Sequence, residues 1–302
     1  MDIEPLDLHF LGHPRTIASF LVRGPGGALL IETGPSTTLP ALQSALAERG
    51  LAPSDIHTVL LTHIHLDHAG AAGWWARQGA TIYVHQNGAP HLAQPERLLA
   101  SARRIYGDQM DALWGEFLPV PPDQLRALND NDVVEAAGLH FTALDTPGHA
   151  GHHLVYQLDD IGFSGDLAGV RRPGIKHVRL PTPPPEFDRE AWLASIEKVR
   201  ARGLARLYLT HFGPLDDVSA HLGAVARLVR AYSDRVREAL ERGADRAAVL
   251  ADFEAWEQGR LEADHVPAVE WPVYADIGPV GMTIDGLMRY WQKKAKAAGE
   301  KN

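Results

Sequence analysis

The chain has 302 residues, 45% of them apolar, with a formal net charge of -9 and a pI near 5.9. That length suits one large domain, or a domain with an appendage, around an ample core. The acidic balance argues against nucleic acid as a partner, because nucleic-acid binders carry basic patches or stripes. Cysteine is absent, which excludes a disulfide framework and any thiolate ligand or nucleophile. The segment Met1-Asp2-Ile3-Glu4-Pro5 has no basic stretch followed by an apolar core, and no uncharged apolar run is long enough to span a bilayer. A cytoplasmic location with no membrane partner is therefore expected.

In chain order, residues 6–10, 16–22 and 28–32 are short apolar or alternating runs broken by Gly and Pro, and they read as strands. Residues 40–49 read as a helix with Gly50 beyond its end. Residues 56–61 form a strand that leads into Thr62-His63-Ile64-His65-Leu66-Asp67-His68-Ala69-Gly70. Residues 70–78 are a helix and 81–85 a strand. Residues 89–115, with Arg97, Arg103, Arg104, Tyr106 and Trp114, read as two or three short helices inserted between strands. They make either a solvated cap or a lid whose Tyr106, or an arginine, touches substrate.

Strands follow at 132–135, 139–144 and 154–158, and another ends at Leu209. The stretch 167–187 holds Arg171, Arg172, Lys176, His177 and Arg179, then a proline run from Pro181 to Pro185. Long loops without structure of their own are usually functional or disordered. Arg171, Arg172 and Lys176 are thus candidate grips for a substrate carboxylate, with surface ion pairing as the alternative. Helices are expected at 188–202, 216–242, 244–257 and 283–296, the later ones packing on the core or on a second copy in a homodimer. Lys293, Lys294, Lys296 and Lys301 look like a solvated end.

The chemistry concentrates where strands give way to loops. His63, His65, Asp67 and His68 fall within six residues. Asp145-Thr146-Pro147-Gly148-His149, Phe163-Ser164-Gly165-Asp166 and Leu209-Thr210-His211 each set a His or Asp after a strand-like run. Imidazoles and carboxylates this dense are costly to bury unless a divalent cation compensates them, and this donor set suits zinc, iron or manganese.

These motifs resemble the metallo-β-lactamase superfamily, and most closely its glyoxalase II-like metallohydrolases, over about residues 7–211. The resemblance implies an α/β fold, a four-layer αββα sandwich, with extra C-terminal helices. It gives a catalytic domain at 1–215, with the insertion at about 89–115, and a helical extension at 216–302. It implies two divalent metal ions, zinc first. His63, His65 and His149 would hold one, Asp67, His68 and His211 the other, and Asp166 would bridge them. Asp67 would in addition orient hydroxide or protonate the leaving group. Without cysteine, the β-lactamases that place one on the second zinc are excluded, and Asp166 speaks against the class that lacks this aspartate.

The expected function is hydrolysis of a small ester-like substrate, a thioester or lactone, by metal-bound hydroxide. The alternatives are a mononuclear iron persulfide dioxygenase-like enzyme, a nucleic-acid phosphodiesterase and a non-catalytic binding module. Glu32 stands where the family usually has Asp and is expected to brace the ligand loop. His152 or His153 is expected to support His149. Other histidines, such as His85, His177 and His221, are expected at the surface or in hydrogen bonds.

Overall fold

The structure is a computed structural model that describes residues 1–299; Lys301 lies outside the described residues. One sheet comprises β1 (Asp2–Asp7), β2 (Ala18–Gly24), β3 (Gly27–Ile31), β4 (Ile56–Leu60), β5 (Thr81–His85) and β6 (Leu125–Leu128), in that spatial order. Its first three strands pair antiparallel and the later ones parallel. The second sheet comprises β7 (Val133–Ala136), β8 (Leu139–Asp145), β9 (Leu154–Leu158), β10 (Ile161–Phe163), β11 (Arg206–Leu209) and β12 (Gly213–Leu215), in the order β12-β11-β10-β9-β8-β7. Only its β10–β11 pair is parallel.

Side-chain alternation stacks the layers, because neighbouring strand residues point to opposite faces. On β2 and β3, Phe20, Val22, Leu29 and Ile31 turn inward, against Phe141, Tyr156 and Phe163 of the second sheet. Their neighbours Leu21 and Leu30 turn outward. There they meet α1 (Leu39–Ala47) and α3 (Ala72–Arg77) through Leu42, Leu46 and the fully buried Trp75. The outer face of the second sheet, including Leu144, Val155 and Leu207, packs under helices α7 (Arg189–Arg200), α8 (Val218–Glu241), α9 (Arg246–Ala263) and α11 (Val280–Gly299). Each fully buried Leu, Ile or Phe here contributes about 1.5–3 kcal/mol. The resulting order, helices on sheet on sheet on helices, is the αββα sandwich, with extra helices following it.

The helices stop and start on recognisable chemistry. Asp188 and Asp245 accept from Ala191 N and Ala248 N, each at 2.9 Å, and so cap α7 and α9. The apolar face foreseen on α8 is buried through Leu222, Val225, Ala226, Val229 and Val236. These helices share one apolar cluster with α7 and the second sheet. Tightest of all is the approach of α11 to the proline loop. A Cβ on Gly286 would stand 1.9 Å from the Thr182 carbonyl oxygen, so only glycine fits there.

Several expectations shift. The first strand lies at Asp2–Asp7 rather than at 6–10, because His9 and Leu11 take positive φ and turn the chain away. Strands β6, β10 and β12 and helix α10 (Trp271–Ile277) were not foreseen. They have three to seven residues each, too few to display a period. The insertion resolves into α4 (Ala89–Ala93), α5 (Glu96–Tyr106) and α6 (Met110–Trp114), with the short α2 (Leu66–Ala69) before it. Among the described residues no helix is long and apolar enough to cross a membrane.

Candidate metal centre

Four strands deliver the candidate ligands to one rim of the sandwich. β4 ends at Leu60, and Leu154 N donates to Thr62 O at 2.7 Å, pinning the chain just before His63. His65 precedes α2, whose single turn carries Asp67 and His68. Gly70 closes that turn against Leu66 O and Pro35, where a Cβ would come within 2.4 Å and 2.7 Å. His149, Asp166 and His211 follow β8, β10 and β11.

The side chains converge in two groups that share Asp166. His149 Nε2 lies 2.8 Å from His65 Nδ1 and 3.2 Å from Asp166 Oδ2, and His63 Nε2 lies 2.9 Å from His65 Nδ1. On the other side, His68 Nε2 and His211 Nε2 each lie 3.3 Å from Asp166 Oδ1. They are also 3.6 Å and 3.4 Å from Asp67 Oδ2. One offered atom from each of His63, His65, His149 and Asp166 falls within 4.8 Å of the others, as do those of Asp67, His68 and His211.

The opposite ring nitrogens are held by fixed acceptors. His149 Nδ1 donates to Pro181 O at 2.9 Å and His211 Nδ1 to Thr16 O at 2.8 Å. His68 Nδ1 meets Glu32 Oε1 at 3.0 Å. Such partners fix the tautomer and leave Nε2 lone pairs facing inward. Fully buried Glu32 also accepts from the Thr62 hydroxyl and from Thr62 N, so the longer side chain does reach the ligand loop. His153 accepts from Asp166 N at 3.1 Å and contacts the Thr146 hydroxyl at 2.8 Å. His152 instead pairs with Glu186 at 3.0 Å, and with His65 they form a third cluster.

The electrostatics ask for a cation. Burial drives His63 and His149 down, and His65 to about 3, which favours the neutral ligand form. Against the same burial, Asp67, Asp166 and Glu32 hold His68 well above the usual histidine range, and Asp166 and Asp67 push His211 up to about 9. Asp67 itself is held at about 2 by His68 and His211 despite its desolvation. Protonated imidazoles supply the positive charge these carboxylates require. A divalent cation would supply it too and leave the imidazoles neutral to coordinate. His68 Nε2 and Asp166 Oδ1 are buried without a hydrogen-bond partner, as expected of atoms suited to a metal rather than a proton donor. The donor set therefore fits divalent metal.

A cavity of about 460 Å³ opens over this centre, in the range of small-molecule sites. His65, Asp67, His149, His152 and Asp166 line its floor. The walls come from α5 and α6, from Pro183 to Glu186, and from Ala275 to Met282 around the α10–α11 junction. Tyr106 lines the cavity, with its ring 5.0 Å from that of Trp114 and its hydroxyl 3.7 Å from Met282 Sδ. Burial pushes its phenol above the usual range.

The other three substrate candidates lie elsewhere. Arg171 pairs with Asp217 at 3.1 Å. Arg172 is buried against Glu270 and the carbonyls of Pro14 and Arg15. Lys176 is exposed and outside the cavity lining. These side chains turn away from the rim although they follow Asp166 closely in sequence. Glu186 and the α10–α11 wall were not foreseen. The proline run was a signal for Glu186, whereas only tertiary packing brings in residues 275–282.

Comparisons with known proteins agree with this architecture. The profile of the metallo-beta-lactamase superfamily matches residues 13–211. A metallo-beta-lactamase fold-containing protein of Sulfurisphaera tokodaii is 28% identical over 46% of this chain and 54% of its own length. A hydroxyacylglutathione hydrolase of Xanthomonas campestris pv. campestris is 30% identical over 58% of this chain and 54% of its own. The matched segment thus spans about half the length of these relatives. An atrochrysone carboxyl ACP thioesterase of Aspergillus fumigatus is 26% identical over 78% of this chain and 69% of its own. Among solved structures, a metallo-beta-lactamase family protein of Thermus thermophilus superposes with a TM-score of 0.69 at 21% identity, covering 97% of this chain and 94% of that one. With the profile spanning the motifs and the fold shared along nearly the whole chain, the protein belongs to the metallo-β-lactamase superfamily.

Proposed function

We propose that this chain is a dinuclear metal-dependent hydrolase of a small ester-like substrate, a thioester in preference to a lactone. The observation that carries this reading is the position of Asp166. Its Oδ2 faces His149 and its Oδ1 faces His68 and His211. One carboxylate with an oxygen toward each group is what a bridge between two cations requires, and its negative charge offsets their repulsion. Zinc is the first expectation, with iron and manganese accepted by the same donors. Two such ions, when bound, acidify water toward a pKa of about 7 and polarise a carbonyl.

The chain's own residues supply the rest. His63, His65 and His149 would hold one ion, and Asp67, His68 and His211 the other. Asp67 contacts His68 and His211 through Oδ2, which leaves Oδ1 to orient a water or to return a proton to the leaving group. The apolar walls, among them Phe10, Leu98, Trp114 and Met282, limit water around the reacting bond. Relatives named as a hydroxyacylglutathione hydrolase and an ACP thioesterase support the thioester preference. The acidic balance favours a small-molecule substrate over nucleic acid.

Elemental analysis of the protein purified without added metal, followed by a thioester and lactone panel, tests this. Close to two ions per chain with turnover supports the proposal. Close to one iron, with oxygen uptake on a persulfide, replaces it with the single-iron oxygenase. Full hydrolysis by Asp166→Asn with both ions retained refutes the bridging role.

A further inference from the structure

We propose that Arg97 and Arg104 form a receptor for an anionic group at the mouth of this cavity. The preferred substrate is then an acyl compound with an apolar middle and a carboxylate or phosphate remote from the bond that is cleaved. As a statement about substrate, this rests on the hydrolase reading. As a statement about binding, it stands alone.

The placement follows from helix geometry. Arg97, Ser101 and Arg104 are spaced four and three residues apart on α5, so they share one face, and all three line the cavity. Arg103 is on the same helix and exposed but does not line it. Both lining arginines are exposed, at the rim, while the candidate metal ligands lie at the floor. Their Cα atoms are roughly 10 Å apart along the helix axis, a gap two long flexible side chains close around one anion.

Charge pairing separates these arginines from Arg171, Arg172 and Arg179. Among the described residues, neither guanidinium makes an ion pair or hydrogen bond, whereas Arg171, Arg172 and Arg179 pair with Asp217, Glu270 and Glu257. The acids that line the cavity are already engaged. Asp67 and Asp166 belong to the metal centre, Glu186 is paired with His152 at 3.0 Å, and Asp276 faces His13 at 3.4 Å. Two cations at the rim of an apolar cavity in a chain of net charge -9 therefore face the ligand rather than the protein. A guanidinium fork matches a carboxylate or phosphate. The lining between rim and floor, including Leu98, Ile105, Tyr106 and Ile277, suits a hydrocarbon segment.

The test uses non-hydrolysable thioethers and the metal-loaded full chain. Calorimetry compares 6-(butylthio)hexanoate, its primary amide and 6-(butylthio)hexyl phosphate. We expect one of the anions to bind at least tenfold more tightly than the amide at low salt, and which one does so identifies the anion. The Arg97→Gln/Arg104→Gln double variant should lose that advantage, and Arg103→Gln should keep it. Equal binding of all three probes would overturn the receptor. So would an advantage that survives the double variant, since the metal centre would then be taking the anion. On matched thioesters the double variant should raise KM for the anionic one and leave kcat and the neutral one unchanged. If no thioester or lactone is turned over, the hydrolase reading fails while the binding arm still decides this inference.

Discussion

Asp166 and Glu257 are both buried carboxylates, each about 2% exposed, yet their surroundings differ in kind. Glu257 is saturated by donors. Oε1 takes His177 and Arg179, each at 3.1 Å, and Oε2 takes Arg260 at 2.6 Å and Tyr232 at 3.2 Å. Asp166 keeps Oδ1 without a hydrogen bond and faces ring nitrogens whose opposite edges are already committed. Burial of charge alone therefore does not mark a functional site. Permanent cations such as arginine signal a closed structural network, and imidazoles with fixed tautomers signal coordination.

The comparison breaks most sharply at Asp166. Asp166→Asn should lower hydrolysis by more than the roughly 100-fold typical of removing an outer-shell partner, and bound metal should fall below the wild-type content in elemental analysis. Glu257→Ala should cost about 3–5 kcal/mol in urea unfolding, because it leaves buried Arg179 without its carboxylate, while metal content per folded chain stays at the wild-type level. A joint loss of metal would show that the two regions are not independent.

The same contrast has a pH form. Against the cost of burial, His177, Arg260 and Arg179 hold Glu257 at about 2, below the usual 4.5. A depressed carboxylate stabilises the fold fully above its ordinary pKa and loses that contribution as pH falls toward its folded value. The stability gap between wild type and Glu257→Gln should thus be constant above about 4.5 and close between there and 2. A gap that stays constant through acid would contradict the pairing.

Smaller effects sharpen the boundary. Glu32→Gln should weaken metal binding by about 10–100-fold with little change in fold, read by competition with a chelator. Arg171→Gln should cost no more than about 1 kcal/mol, as expected of a partly exposed pair, and leave turnover unchanged. A large loss of activity would restore Arg171 to the substrate site.

What was legible in the sequence follows the same line. His63, His65, Asp67 and His68 announce themselves because they crowd one strand end, and His149, Asp166 and His211 because each follows an apolar run. The central strands are legible because Leu21 beside Phe20 and Leu30 beside Ile31 demand two covered faces. The cavity was not legible, since residues 275–282 meet residues 97–114 only through tertiary packing. The arginines after Asp166 follow the ion-pairing alternative, for a related reason. Proximity in sequence suggested the site, but their partners Asp217, Glu257 and Glu270 lie far along the chain. Arg97 and Arg104 stood in the insertion all along, and only the helix face separates them from Arg103.

The close approach of Gly286 to Thr182 has a bearing on synthesis. Translation releases all seven candidate ligands once His211 is made, but the helix that seats the proline wall emerges some seventy residues later. A nascent chain halted in between would carry a complete set of donors with one wall of its chamber unsupported. The candidate ligands and the wall that stands over them are thus synthesised at different moments, the wall gaining its support only once α11 has emerged.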